Sequence, residues 1–219
     1  MTGAALLLDN DGVLLERTGD DHDAFEAAVR RAFRDHGVDN PAPGHVRNLV
    51  YDVTVPYVTA VCKQYGLDRE AFWRSRDEAC SAVQREAIRN GEKGLYPDVE
   101  VLADLSRQMG VVSTNQQPTL AFAFDHLRAP AFDVVQGRPM TIESLRRKKP
   151  EPHYVEEALT ELDAETALYV GDSEHDIVAA HNAGIEAAFL RREHNRETVL
   201  SASPEYELDS LRELPAILV

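Results

Sequence analysis

Lysine is nearly absent from this chain: of its 23 basic residues only Lys63, Lys93, Lys148 and Lys149 are lysines, set against 38 acidic residues. The formal charge of −15 excludes a broad basic face, and with it nucleic acid as a partner, because such binding depends on neutralising phosphates. Cysteine is also scarce. Cys62 and Cys80 stand alone, outside any CxxC spacing, and read as small buried hydrophobes and not as a disulfide or metal pair. The histidines show no zinc spacing, since His175 and His181, six positions apart, fall on different helix faces. Long apolar runs are missing too: Ala4 to Leu8 is cut off by Asp9, too short for a signal segment or a membrane span. The expectation is a cytoplasmic protein with no membrane partner. There is no internal repeat and no low-complexity tract.

The shortage of lysine with surplus Asp and Glu has two readings. One is a surface adapted to a high-salt cytoplasm, where dense counterions screen self-repulsion. The other is an ordinary acidic bacterial enzyme encoded by GC-rich DNA.

What the chain does have is a run of apolar residues closing on acids. Ala4 to Leu8 leads into Asp9-Asn10-Asp11-Gly12, which reads as a buried strand ending in two carboxylates one residue apart, followed by a turn-forming glycine. Two acids in one crevice raise each other's pKa unless a cation sits between them, and a hard divalent ion with oxygen ligands is the usual answer. An acidic turn after an edge strand would give the same triplet. Further strand ends favour the first reading: Gly110 to Asn115 closes on a hydroxyl and an amide, and Leu168 to Asp176 closes on further acids. Lys148-Lys149-Pro150 opens a helical stretch. In an open parallel α/β sheet, ligands bind beyond the carboxyl ends of the strands, so these segments should converge.

Two regimes alternate along the 219 residues. Residues 1–16 and 91–219 alternate strand and helix, which predicts a parallel sheet with crossover helices. Residues 17–90 show only helical patterns: Ala24, Ala27, Ala28, Ala32 and Phe33 on one face, Val46 to Val61 on a second, Phe72 to Ile88 on a third. Within the sheet regime, Pro97 to Met109 predicts a helix ended by Gly110, Pro118 to Leu127 another, and Phe132 to Val135 a strand. A helix follows Asp176 and stops at Gly184. Ala187 to Leu190 is the last clear strand.

Taken together, these motifs resemble the haloacid dehalogenase superfamily of phosphotransferases over nearly the whole chain, with all four superfamily motifs in order. The resemblance implies an α/β fold with a Rossmann-like parallel sheet core and an inserted all-helical cap domain over residues 17–90, hinged beside the first strand and through Gly91 to Gly94. A helical decoration that only packs on the core is the plainer alternative. The resemblance further implies Asp9 as nucleophile, Asp11 as acid and base, and Thr114 and Lys149 as phosphoryl ligands, helped by amides near Asn10 and Asn115. Mg2+ would be held by Asp9, Asp172 and the Asp11 backbone carbonyl, with Asp176 ordering metal-bound water or the lysine.

Asp11 favours phosphate esters over halides, whose departure needs no proton. The implied activity is hydrolysis of a small phosphorylated metabolite, similar to phosphoglycolate phosphatase, by a monomer or homodimer. A sugar-phosphate mutase of the β-phosphoglucomutase type competes, because Thr18 and His22 resemble its hinge residues, though displaced by one position. Gly171-Asp172-Ser173 with Asp176 points to the hydrolase. A non-catalytic binding member is the third reading, disfavoured because no motif residue is missing. Lys149 precedes Pro150 and takes the lysine role, with Lys148 solvated. Thr114 precedes Asn115 and takes the hydroxyl role over Ser113. Arg138, Arg146 and Arg147 read as a solvated face, with attraction of an anionic substrate as the alternative, and Arg47 as either a substrate contact or an exposed residue.

Overall fold

The computed structural model describes residues 4–16, 22–51 and 53–218. Its centre is a six-stranded, wholly parallel sheet in the order β3-β2-β1-β4-β5-β6, made of β1 (Ala5–Leu8), β2 (Met109–Gln116), β3 (Val134–Arg138), β4 (Ala167–Gly171), β5 (Glu186–Leu190) and β6 (Tyr206–Leu208). After β1 the chain builds outward to one side through β2 and β3, then crosses back to lay β4, β5 and β6 on the other. The reversal falls between β1 and β4, the place where open α/β sheets leave a crevice for ligands.

Alternate side chains explain why these strands are buried on both faces. Ala5 and Leu7 of β1, Tyr169 of β4 and Phe189 of β5 share one apolar cluster. Leu6, Leu8, Val170 and Leu190 share the opposite one. The first cluster is closed by α6 (His153–Leu162) and α7 (Glu174–Asn182), the second by the 3₁₀ turns at Pro97–Asp104 and Leu211–Glu213 and by α8 (Leu214–Ile217). On the β2–β3 side the sheet is flanked by α5 (Gln117–Leu127).

Between β1 and β2 lie four helices: α1 (His22–Asp35), α2 (Pro43–Asn48), α3 (Val55–Tyr65) and α4 (Arg69–Arg89). Thr54 and Asp68 cap α3 and α4, and Gly66 ends α3 at φ +67°. The helices bury their own apolar cluster, in which Phe33, Phe72 and Trp73 meet Val46, Val58 and Val61, and Ile142 and Leu145 join from beyond β3. The two connecting segments run side by side: Leu15 bridges Leu95 in antiparallel fashion, Glu16 N–H donates to Gly94 O at 2.9 Å and Tyr96 N–H to Leu14 O at 2.9 Å.

Several sequence expectations are corrected. The helix expected from Pro97 to Met109 is a 3₁₀ turn ending at Asp104; Met109 and Gly110 belong to β2, where pairing with Leu6 and Leu7 overrides the helical spacing of Leu102, Leu105 and Met109. The single face from Val46 to Val61 is split between α2 and α3. Pro43 and Gly44 form the first turn of α2. Ala27 is exposed, and Val29 takes its place in the apolar face of α1. The strand at Phe132 starts two residues later, at Val134, and β6 was not expected at all. Among the described residues no helix is long and apolar enough to cross a membrane.

Candidate active site

The chain bends sharply after β1. Asn10 C=O accepts the N–H groups of Leu14 and Leu15 at 2.9 and 2.8 Å, and Gly12 sits at φ +90°. A Cβ on Gly12 would lie 2.0 Å from Asp172 Oδ2, so only glycine lets the two acidic loops approach. At the end of β4 a second bare glycine has the same function, since a Cβ on Gly171 would lie 2.1 Å from Asp176 Cβ.

These approaches gather the acids. Asp9, Asp172 and Asp176 are all buried, and each offers an oxygen within 4.8 Å of the others. Lys149 reaches into the group from the loop before α6: its Nζ lies 2.6 Å from Asp9 Oδ1, pairs closely with Asp176 Oδ1, and donates to Tyr169 Oη at 2.9 Å. Tyr169 in turn donates to Val112 C=O at 2.9 Å. The other oxygen of Asp176 accepts from Ser173 Oγ at 2.6 Å and Ser173 N–H at 3.0 Å, closing a capping box on α7. Asp176 thus holds the lysine through one oxygen and the start of α7 through the other. His194 Nε2 lies 2.7 Å from Asp172 Oδ2, and Asn195 Nδ2 donates to Asp172 C=O at 2.9 Å.

Burial pushes the Asp9 carboxyl well above its ordinary range; Lys149 pulls it down, and Asp176 and Asp172 raise it further. Burial works against the Lys149 charge, but Asp176 and Asp9 overcome it and hold its proton firmly. Three carboxylates therefore crowd one lysine, an excess of negative charge that a second cation would offset. The donors are hard oxygens in a buried pocket, a set that fits Mg2+. Asp9 and Asp172 would hold it.

Asp11 faces elsewhere. Its Oδ1 is in close ion contact with Lys93, and its Oδ2 accepts from Asn10 Nδ2 and Asn115 Nδ2, both at 3.0 Å. Burial alone would raise its pKa, but Lys93 and the two amides more than offset this and hold it below the usual carboxylate range. Its carboxylate is not part of the Asp9 cluster, which leaves only its backbone carbonyl for a metal.

Asp11 and Thr114 line a cavity of about 770 Å³ walled on the helical side by Phe25, Tyr51 and Trp73. Thr114 also lines a second cavity of about 380 Å³ with Lys149 and His175.

Other expectations need correction. The Asn115 N–H, expected to face phosphoryl oxygens, donates to Ser113 Oγ at 3.1 Å, because β2 is irregular between Val112 and Gln116. Lys148 is half-buried: it lies between the two cavities with Nζ 3.4 Å from Val53 C=O. Arg138 is buried, its fork closed on Asp77 at 2.6 and 2.7 Å, while Arg146 and Arg147 are exposed as expected. Arg47 is exposed on α2 and lines neither cavity. His22 packs edge-on against Tyr51, with ring centroids 5.4 Å apart, and Thr18 lies outside the described residues. Lys93, Gln84, Tyr169 and His194 were missed as site residues. Lys93 had one available signal, as a rare lysine in a glycine-flanked connector.

A family model described as haloacid dehalogenase-like hydrolase matches residues 6–190, and the chain belongs to that family. Pyrophosphatase PpaX of Bacillus cereus is 34% identical over 128 residues, 57% of this chain and 57% of the relative. The chain thus spans little more than half the length of that curated relative. The fold is similar to CbbY from Rhodobacter sphaeroides, solved in complex with phosphate, at 23% identity and TM-score 0.67, over 97% of this chain and 96% of the other. It is also similar to a HAD phosphatase from Thermococcus onnurineus at 22% identity and TM-score 0.59, over 98% and 97%.

Proposed function

We propose that this member of the haloacid dehalogenase-like hydrolase family is a Mg2+-dependent phosphomonoester hydrolase that works through an aspartyl-phosphate on Asp9. The observation that carries the reading is the placement of Asp9 against Lys149 and beside Asp172, with Asp11 turned towards the large cavity two residues on. Phosphoryl transfer is slow because anions repel an anionic nucleophile, so the protein's task is positioning and charge neutralisation. Bound Mg2+ would neutralise phosphoryl oxygens and ionise Asp9.

The chain's own groups do the rest. Lys149 and Thr114 hold phosphoryl oxygens. An Asp9 oxygen attacks phosphorus, the ester P–O bond breaks, and Asp11, which takes up a proton from solvent as bound substrate desolvates it, gives that proton to the leaving oxygen. Water then attacks the acyl phosphate, Asp11 takes its proton, and phosphate leaves with Asp9 restored. Helices α1–α4, joined by the paired segments at Leu15 and Leu95, act as a cap that opens for substrate and closes to exclude water. The core is then residues 1–16 and 91–219 and the cap residues 17–90.

The substrate is a small phosphorylated metabolite, similar to phosphoglycolate. The Bacillus relative's name puts inorganic pyrophosphate on the same panel. The protein acts in a cytoplasm, one of high salt, as a monomer or homodimer. Release of phosphate from an aryl phosphate, with and without Mg2+, tests the reading, with Asp9→Asn as control. No Mg2+-dependent release from that ester, the metabolite panel or pyrophosphate would sink it.

A further inference from the structure

Lys93 forms the only ion pair given to Asp11 among the described residues, and it comes from the segment returning from the four helices to the sheet. The backbone pairing of Glu16 with Gly94 fixes that segment beside the Asp11 turn. Lys93 is 8% exposed and lines the same cavity as Asp11. That cavity holds the departing part of the substrate if Asp11 protonates it.

We propose that Lys93 recognises a second anionic group, a carboxylate or a phosphate, carried by the substrate close to its ester oxygen, and that this group replaces Asp11 as the partner of the ammonium. The inference rests on the hydrolase reading and names its substrate class.

The charge of the inner wall supports this. Lys93, Lys148, Arg76 and Arg138 line the cavity in a protein whose formal charge is −15; Asp11 is the one lining acid that is not exposed, and Asp77, behind the wall, pairs with the two arginines. Glu86 and Glu92 also line it, but both are exposed.

The hydrogen-bond inventory gives the reason for an exchange. Oδ2 of Asp11 is filled by two amides, while Oδ1 accepts from Lys93 and keeps one lone pair, so the ammonium stands against the oxygen that the leaving group can reach. An anion that draws Lys93 away leaves Oδ1 to the leaving group, and does so only when the right substrate is present. Reach sets the size. The ester oxygen and the ammonium address the same oxygen, Oδ1, and two groups hydrogen-bonded to one oxygen lie roughly 4–5 Å apart. An anionic group one or two carbons from the ester oxygen spans that gap.

The experiment compares kcat and KM for 2-phosphoglycolate, ethane-1,2-diol bisphosphate and the neutral 2-hydroxyethyl phosphate, in the unaltered protein, Lys93→Gln and Lys93→Arg. The unaltered protein should favour at least one anionic compound by about tenfold or more in kcat/KM, and the better of the two names the anion. Lys93→Gln should bring that ratio near one, mainly through KM, and Lys93→Arg should restore most of it. A lysine that only braced the fold would slow all three substrates alike. A ratio near one in the unaltered protein, or one that survives Lys93→Gln, overturns the proposal. If no ester turns over, the hydrolase reading fails on its own, and calorimetric binding of the same three compounds decides the role of Lys93.

Discussion

Arg138 closes both terminal nitrogens of its guanidinium on Asp77, at 2.6 and 2.7 Å, and so ties the end of β3 to the middle of α4. Arg76 joins the same carboxylate at 2.8 Å while its Nε donates to Leu49 C=O at 2.7 Å. Trp73 lies against both guanidiniums, with ring centroid distances of 4.9 and 5.5 Å. All four side chains are buried.

Arg138→Met leaves Asp77 its Arg76 and Gln116 partners but gives up two buried charge-assisted hydrogen bonds, and should cost about 3–5 kcal/mol. For a chain of this size, that is a fall in Tm of roughly 6–20 °C. A Tm within about two degrees of the original would mean that water reaches Asp77 and the pair contributes little.

The same pair sets an acid limit. Burial by itself would raise the Asp77 pKa, but Arg138, Arg76 and Gln116 together pull it below its ordinary value. A carboxylate depressed in the folded state adds stability above its unfolded pKa, and that share is lost as pH falls through the folded value. Tm should therefore drop below about pH 4 in the unaltered protein. Asp77→Asn, though less stable at neutral pH, should show a shallower acid limb. Parallel melting curves from pH 3 to 7 would reveal it, and identical limbs would remove Asp77 from the explanation.

Such a network shows where the sequence is legible and where it is not. Asp9 and Asp172 end apolar runs, and that local pattern alone placed them at neighbouring strand ends. Arg138 has no local mark that separates it from the exposed Arg146 and Arg147. Its partner is 61 positions away, and burial is decided by the tertiary contact. Lys93 and Asp11 are 82 positions apart for the same reason. The helical character of residues 22–89 could be read from periodicity, but the break between α2 and α3 could not, because valines continue across it. Strand β6 has three residues, too few for any alternation to register.

Asp9→Asn should abolish turnover, by about a thousandfold or more, while the protein stays folded. The substitution also removes one of three crowded acids, so Tm should hold or rise. Rate and melting curve together make the check: activity within about tenfold of the original would end the case for covalent catalysis by Asp9.

Magnesium should be required for activity and should also stabilise the fold. Binding at a hundred times Kd adds about 2.7 kcal/mol, visible as a rise in Tm that chelator reverses. Asp172→Asn should lose that rise along with activity, and calcium should inhibit because its looser coordination misplaces the nucleophile. Full activity in chelator would leave the acidic cluster without a metal role.

Asp11→Asn should slow alkyl phosphates far more than esters with an acidic leaving group, because only the former need a proton to depart. Comparing an alkyl with a nitrophenyl ester separates the two. Equal losses would make Asp11 a structural anchor for Lys93 and Asn115.

The last prediction concerns salt and rests on charge alone. At −15, with 38 acidic residues against 23 basic ones, the folded chain concentrates carboxylates that repel one another. Surface ion pairs do little to relieve this, since several, such as Arg89–Glu86 and Arg212–Glu100, are exposed and weak. In about 0.01 M salt the Debye length is roughly 30 Å, so the repulsion reaches across the domain. In molar salt it is about 3 Å, and only neighbouring charges interact. Tm should therefore climb from low salt into the molar range, with activity kept in molar potassium chloride. The buried Asp77–Arg138 pair is shielded from the ions and should contribute the same throughout, so Arg138→Met should lower the curve without changing its slope. A flat or falling curve would mark an ordinary acidic protein and leave the site chemistry untouched.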